Sequence, residues 1–315
     1  MTSLKQLSER EERLTGGHRL CAGCGASIIV RQILLATDYP VAVSCATGCL
    51  EVSTTLYPYT AWKTPFIHNA FENSAVTISG AEAMFRAQKR IGNIPEDAKV
   101  KFIAFGGDGG TYDIGIQSLS GAMERGHDML YVCYNNEAYM NTGIQRSSAT
   151  PRGAATTTSP AGTVIPGKKE YPKDLTEVMA GHHLPYVAQA SPGYYNDLIK
   201  KVEKAMEIEG PKFLNTISPC PRGWRHPANA AIKVGKLAVD CCFWPLYEVI
   251  DDDYELTGQS KKIADGKRDK IPVADYLKTQ GRFKHLFAPK NEELLENIQK
   301  EVDKRWERLI KLSQL

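Results

Sequence analysis

The sequence predicts an α/β fold in which a mostly parallel sheet is sandwiched by helices, and three observations carry that prediction. Short apolar runs of strand length recur at "YPVAVSC" (39–45), "VKFIAF" (100–105), "MLYVCY" (129–134) and "PKFLNTIS" (211–218). Segments with helical spacing lie between them, and strands alternating with helices indicate a parallel sheet covered on both faces. The chain has 315 residues, 42% of them hydrophobic and 24% charged, which suffices for one large α/β domain or two small ones.

The elements follow in order. Residues 25–36 have helical spacing, and so does the small-residue-rich segment 69–90. In the third such segment, 113–126, Ile114, Ile116, Leu119 and Met123 fall roughly on one side. Residues 143–174 are rich in Thr, Ser, Gly and Pro without an apolar period, and so polar a stretch is usually a lid, a binding loop or disordered. The C-terminal "NEELLENIQKEVDKRWERLIKLSQL" reads as an amphipathic helix, either packed on its own domain or reaching as an arm across a partner. The expected division is a ligand-binding domain over 1–240 and a C-terminal, subunit-contacting extension over 241–315.

Composition excludes several classes. A net charge of +3 gives no basic excess for nucleic acid. No apolar run approaches a membrane span, and the charged N-terminus lacks the apolar core of a secretory signal. A cytoplasmic enzyme is expected. In a reducing compartment its eight cysteines are thiols or ligands rather than disulfides. Cys133, inside an apolar strand, reads as core, and the adjacent Cys241 and Cys242 read as structural.

In such sheets ligands bind beyond the carboxyl ends of the strands. There the chain reads "FIAFGGDGGTYDIG" (102–115), a strand running into Gly106, Gly107, Asp108, Gly109 and Gly110 and then a helix. Glycines admit a ligand close to the backbone and a helix N-terminus favours an anion. Asp108 suits such a site when a divalent cation bridges it to phosphate oxygens. The pattern is neither a Rossmann fingerprint nor a Walker loop. Asn135 and Asn136 emerge from the next strand, 28 residues after the Gly-Asp-Gly step, which places a second oxygen ligand at the neighbouring strand end. Two glycine-rich turns with an Asn nearby would be the bland account of the same residues.

"GHRLCAGCGAS" (17–27) places Cys21 and Cys24 in a Cys-x-x-Cys pair that can hold zinc, hold an iron–sulfur cluster, exchange disulfides or simply pack. Cys49 and Cys45 compete as a third thiol, and Cys49 is preferred because it follows the strand in a glycine turn.

Gly-Asp-Gly followed by Asn-Asn resembles the thiamin diphosphate motif. "CAGCG", "ATGCLEVSTTLYPYTAWKTPFIHNAFENSA", "GGDGGTYDIGIQSLSGAMERGH", "NNEAYMNTGIQRSSATP" and "QGRFKHLF" together resemble the β subunit of 2-oxoacid:ferredoxin oxidoreductases, in the pyruvate-type branch, over nearly the whole chain. The resemblance implies thiamin diphosphate held through Mg²⁺ by the Asp108 carboxylate, the Asn136 side chain and the Ala138 carbonyl. It implies cofactor contacts at Gly48, Gly107, Gly109, Gly110 and Asn141, with Asn141 and Thr142 near the reacting ring and the substrate. It assigns Cys21, Cys24, Cys49 and Cys220 to one [4Fe–4S] cluster, one thiolate per iron.

A nearby cluster gives the electrons left by decarboxylation an exit, since the cofactor is the electron sink. By the same resemblance the activating glutamate and most carboxylate-binding groups come from partner subunits of α, γ or δ type, with ferredoxin as acceptor. The expected reaction is oxidative decarboxylation of a small 2-oxoacid, either pyruvate with coenzyme A or oxalate without it. Glu72 and His68 read as structural more readily than catalytic, and Arg222 and Arg225 as surface cations or cluster-tuning groups. A non-oxidative thiamin diphosphate enzyme and a zinc-stabilised binding module are the competing functions.

Overall fold

A computed structural model describes residues 3–315. Eight strands form one sheet: β1 Val41–Ala46, β2 Phe66–Asn69, β3 Lys101–Gly107, β4 Met129–Asn135, β5 Tyr186–Ala190, β6 Pro211–Ile217, β7 Tyr247–Ile250 and β8 Asp253–Leu256, in the order β2-β1-β3-β4-β6-β5-β7-β8. The four runs legible in the sequence are β1, β3, β4 and β6, and they are adjacent at the centre. All pairings from β2 to β5 are parallel, and β7 and β8 add an antiparallel edge.

The helices are α1 Leu4–Glu9, α2 Gly25–Leu35, α3 Cys49–Thr54, α4 Ser74–Arg90, α5 Ile116–Glu124, α6 Leu175–Ala180, α7 Tyr195–Glu207, α8 Ala231–Asp240, α9 Gly258–Ala264, α10 Val273–Leu277 and α11 Glu292–Leu312. The central strands are buried on both faces, as a parallel sheet requires. Alternate residues divide the core: Val43, Phe105, Val132 and Leu214 pack with Ile29, Ile33 and Val202 of α2 and α7. Ala104, Tyr131 and Phe213 pack with Ile78, Leu119, Met123 and Met179 of α4, α5 and α6. Ile29 and Ile33 are fully buried, so truncating either to Ala removes about 2–5 kcal/mol.

Three expectations shift. The helix expected over 69–90 begins at Ser74, and the one over 113–126 at Ile116. Gly109–Ile114 instead form a wide turn of π type, which leaves Ile114 exposed while Leu119 and Met123 stay on the core side. The 143–174 stretch carries no regular element apart from an Ala161–Pro166 bridge and one strand-like pairing of Gln145, yet it is anchored. Ser147, Thr150, Ala154 and Lys168 are buried, and the Lys168 ammonium donates to the Thr150 carbonyl at 2.6 Å. α11 lays Ile298, Val302, Trp306 and Leu309 against its own chain, with Arg305 bonded to Asp174 at 2.7 Å. No described helix is long and apolar enough to cross a membrane.

Because β1, β3, β4 and β6 are parallel, their carboxyl ends share one rim. Gly48 and Cys49 follow β1, Asp108 follows β3, Asn136 follows β4 and Cys220 follows β6. The sheet therefore delivers most of the expected site to one place.

Candidate functional site

At the centre of this rim a cleft is lined by Thr47, Gly48, Cys49, Gly107, Gly109, Gly110, Asn136, Ala138, Asn141 and Thr142 together with Phe71, Tyr134, Tyr139 and Met140. Asp108 is fully buried beneath it, with Asn136 and Ala138 nearly so. The Asn136 amide N–H donates to Asp108 Oδ1 at 3.1 Å, and the Ser147 hydroxyl donates to Oδ2 at 2.5 Å. Burial is the main influence on this carboxyl and pushes its pKa up to about 7, against the Ser147 bond, which lowers it.

The Asn136 side-chain NH₂ donates to Ala138 O at 2.7 Å and to Asp108 Oδ1 at 3.0 Å, so the amide, the carboxylate and the Ala138 carbonyl sit together at the strand ends. The Asp108 carboxylate, the Asn136 side-chain carbonyl and the Ala138 main-chain carbonyl are hard oxygen donors of the kind Mg²⁺ takes.

The glycine loop is held close to the same group. A Cβ on Gly109 would lie 2.4 Å from the Tyr139 ring, whose hydroxyl donates to the Gly109 carbonyl at 2.9 Å. Only glycine lets the loop pass beneath that ring.

The thiols form the adjoining group. Cys21, Cys24, Cys49 and Cys220 each lie within electrostatic reach of the other three. No three His, Cys, Asp or Glu side chains among the described residues close up as tightly as one metal ion needs. Cys24 caps α2, Cys49 opens α3, and the Gly223 N–H donates to Cys220 Sγ at 3.3 Å. Burial pushes the Cys24 thiol up to about 11 and the Cys49 thiol up to about 12, with the Asn141 side chain pulling Cys49 the other way. Bound metal reverses this, since a coordinated thiol gives up its proton. The Cys-x-x-Cys loop is fixed on the Cys220 segment: the Gly25 N–H donates to Pro219 O at 3.0 Å, and a Cβ there would lie 2.8 Å from Pro219 N. Cys45 stands apart, fully buried on its strand with its thiol turned to Ala46 O at 3.6 Å. Cys133, Cys241 and Cys242 are buried in the core.

The remaining candidates divide. Asn141 and Thr142 are exposed on the cleft's outer lip, Thr142 donating to Gln145 Oε1 at 2.6 Å. Glu72 is not among the cleft's lining residues, and its backbone instead packs under Gly115. Half-exposed His68 is bonded to Glu51 at 2.9 Å.

Sequence reasoning missed a buried connection between the two groups. Glu137 and Arg282 form an ion pair, each only 2% exposed, and the guanidinium lies 4.1 Å from the centre of the Trp224 ring. The Trp224 indole donates to the Asn136 carbonyl at 2.7 Å. The "QGRFKHLF" block carries Arg282, but nothing local points to Glu137, 145 residues earlier.

Residues 46–216 match the family model "Thiamine pyrophosphate enzyme, C-terminal TPP binding domain", thiamine pyrophosphate being another name for thiamin diphosphate. The chain is 49% identical to the pyruvate synthase subunit PorB of Thermotoga maritima, over 99% of this chain and 97% of that one. It is 51% identical to PorB of Methanocaldococcus jannaschii, over 94% and 96%. The chain belongs to the 2-oxoacid:ferredoxin oxidoreductase family. Within that family it is the thiamin diphosphate-binding β subunit. A further family member, the ketoisovalerate oxidoreductase subunit VorB of Pyrococcus furiosus, is 39% identical over 97% and 94%. The fold is shared with a solved 2-oxoglutarate:ferredoxin oxidoreductase from Magnetococcus marinus, at a TM-score of 0.54 and 20% identity over 72% of this chain and 81% of that one.

Proposed function

We propose that the chain is the catalytic β subunit of a cytoplasmic pyruvate:ferredoxin oxidoreductase, binding thiamin diphosphate through Mg²⁺ and carrying one [4Fe–4S] cluster. The observation that carries this reading is a single cleft lined both by the Asn136–Thr142 segment above Asp108 and by Cys49, one of the four associated thiols. Asp108, Asn136 and Ala138 would hold Mg²⁺, and Gly48, Gly107, Gly109, Gly110 and Asn141 would surround the cofactor. Cys21, Cys24, Cys49 and Cys220 would hold the cluster. When bound, the thiamin group supplies an electron sink for the carbanion left by decarboxylation.

The chain's own residues make that chemistry local. The buried Asp108, closed off below by Ser147, would meet the cation, and the exposed lip at Asn141 and Thr142 would face the substrate and a partner subunit. Other subunits of α, γ or δ type complete the site and carry electrons on to ferredoxin. The names of the relatives favour pyruvate, with coenzyme A as acyl acceptor, over oxalate.

The test is the anaerobically purified complex, analysed for thiamin, magnesium, iron and sulfide. It is then assayed with pyruvate, oxalate and 3-methyl-2-oxobutanoate, each with and without coenzyme A. Pyruvate- and coenzyme A-dependent acceptor reduction, lost in Cys24→Ala, is expected. Zinc without thiamin would mark a binding module, and pyruvate turnover that survives Cys24→Ala would mark a non-oxidative enzyme.

A further inference from the structure

Tyr134 stands at the carboxyl end of β4, two residues before Asn136, and is 1% exposed. Its ring packs in the core on the α2 side, yet its hydroxyl has no hydrogen-bond partner among the described residues. A buried hydroxyl without a partner is costly and uncommon, so a missing partner is the natural account of it. The surrounding tyrosines are satisfied. Tyr131 bonds to Thr111 at 3.0 Å, Tyr112 accepts from Asn135 and Asn215, and Tyr139 donates to Gly109.

The hydroxyl is also aimed. Tyr134 lines the cleft beside Thr47, Gly48, Cys49, Gly107 and Asn136. A Cβ on Gly48 would lie 2.8 Å from the phenol oxygen, and one on Gly107 would lie 3.4 Å from it. The two strand-end glycines therefore open the space in front of this hydroxyl as well as room for a ligand. Asp108 and Cys49 are both within its electrostatic reach. An anion lying between a carboxylate and a thiol needs donors, and a phenol O–H can be one.

We propose that Tyr134 is a further cofactor-binding residue, its hydroxyl donating a hydrogen bond to a diphosphate oxygen of thiamin diphosphate. This rests on the cofactor site proposed above. The diphosphate would supply the partner that this hydroxyl lacks among the described residues.

Tyr134→Phe removes the oxygen alone. In the complex stripped of cofactor, thiamin diphosphate with Mg²⁺ should bind about 10- to 150-fold more weakly, the range for a hydrogen bond to a charged acceptor. Inorganic diphosphate with Mg²⁺, measured by equilibrium dialysis, should weaken by a similar factor. The thermal midpoint of the stripped variant should be unchanged or higher, because an unsatisfied buried hydroxyl has been deleted. Unchanged affinity for thiamin diphosphate overturns the proposal. Weaker thiamin diphosphate binding with unaltered inorganic diphosphate binding overturns the diphosphate contact, and a lowered midpoint shows that the hydroxyl already had a partner. Should the unmutated complex bind neither probe, the cofactor reading itself falls, an outcome distinct from failure of the Phe variant alone.

Discussion

Replacing Arg282 by Met tests whether the buried pair with Glu137 holds the two halves of the site together. Met keeps much of the stem's volume but leaves the Glu137 carboxylate, 2% exposed, without its cation. Breaking a buried pair by removing one partner costs about 3–5 kcal/mol. Loss of the guanidinium from 4.1 Å above Trp224 and 4.8 Å above Phe283 adds about 1 kcal/mol. Burial already raises the Glu137 pKa above its ordinary value, and Arg282 is the main influence holding it down. Without Arg282 the folded-state pKa climbs further, so the fold gains from a protonated Glu137 at low pH and loses that gain as pH rises through the folded pKa. Urea unfolding of the full chain at pH 7 and pH 5.5, followed by tryptophan fluorescence, measures this directly. The Met variant should lose about 5 kcal/mol at pH 7 and clearly less at pH 5.5. Adding Glu137→Gln should restore at least half of the loss at pH 7. A loss below about 1 kcal/mol, or an equal loss at both pH values with no rescue by the second change, would refute the reasoning.

Three further outcomes are expected. Burial raises Asp108 to about 7, so Mg²⁺-dependent binding of thiamin diphosphate should weaken as pH falls below 7, by up to about tenfold per unit, and titration calorimetry in two buffers should detect a released proton. Ser147→Ala removes the 2.5 Å bond that favours the Asp108 carboxylate, and the same titration should show the onset of weakening move to higher pH. Gly25→Ala forces a Cβ to 2.8 Å from Pro219 N and pries the Cys-x-x-Cys loop from the Cys220 segment. Visible absorbance and iron content per chain should both drop, while thiamin binding is largely kept.

The parts of the fold legible in the sequence are those with one environment along their length. β1, β3, β4 and β6 are buried on both faces and read as continuous apolar runs. β2 is a four-residue edge with its middle exposed, and β5, "YVAQA", is short and carries Gln189 bonded to Thr176, so neither has a clear period. The β7–β8 hairpin turns on Asp251 and Asp252, at φ 48° and 73°, a turn that Asn-Gly usually announces and Asp-Asp conceals. At the site, residues fixed by chain-local geometry were visible: the glycine loop, the thiol pair and the strand-end Asn. Glu137 with Arg282, Trp224 with Asn136, and the open hydroxyl of Tyr134 depend on contacts between distant segments, which no single stretch records.

The shared rim also has a consequence for biogenesis. On the proposed assignment, Cys21, Cys24 and Cys49 leave the ribosome early, whereas Cys220 follows β6, the strand that pairs with both β4 and β5. A nascent chain therefore presents an incomplete set of thiols until about two-thirds of it has been made and the middle of the sheet has closed. Iron–sulfur loading would be a late event in maturation, and a stalled or truncated polypeptide would display three oxidisable cysteines with no cluster to protect them.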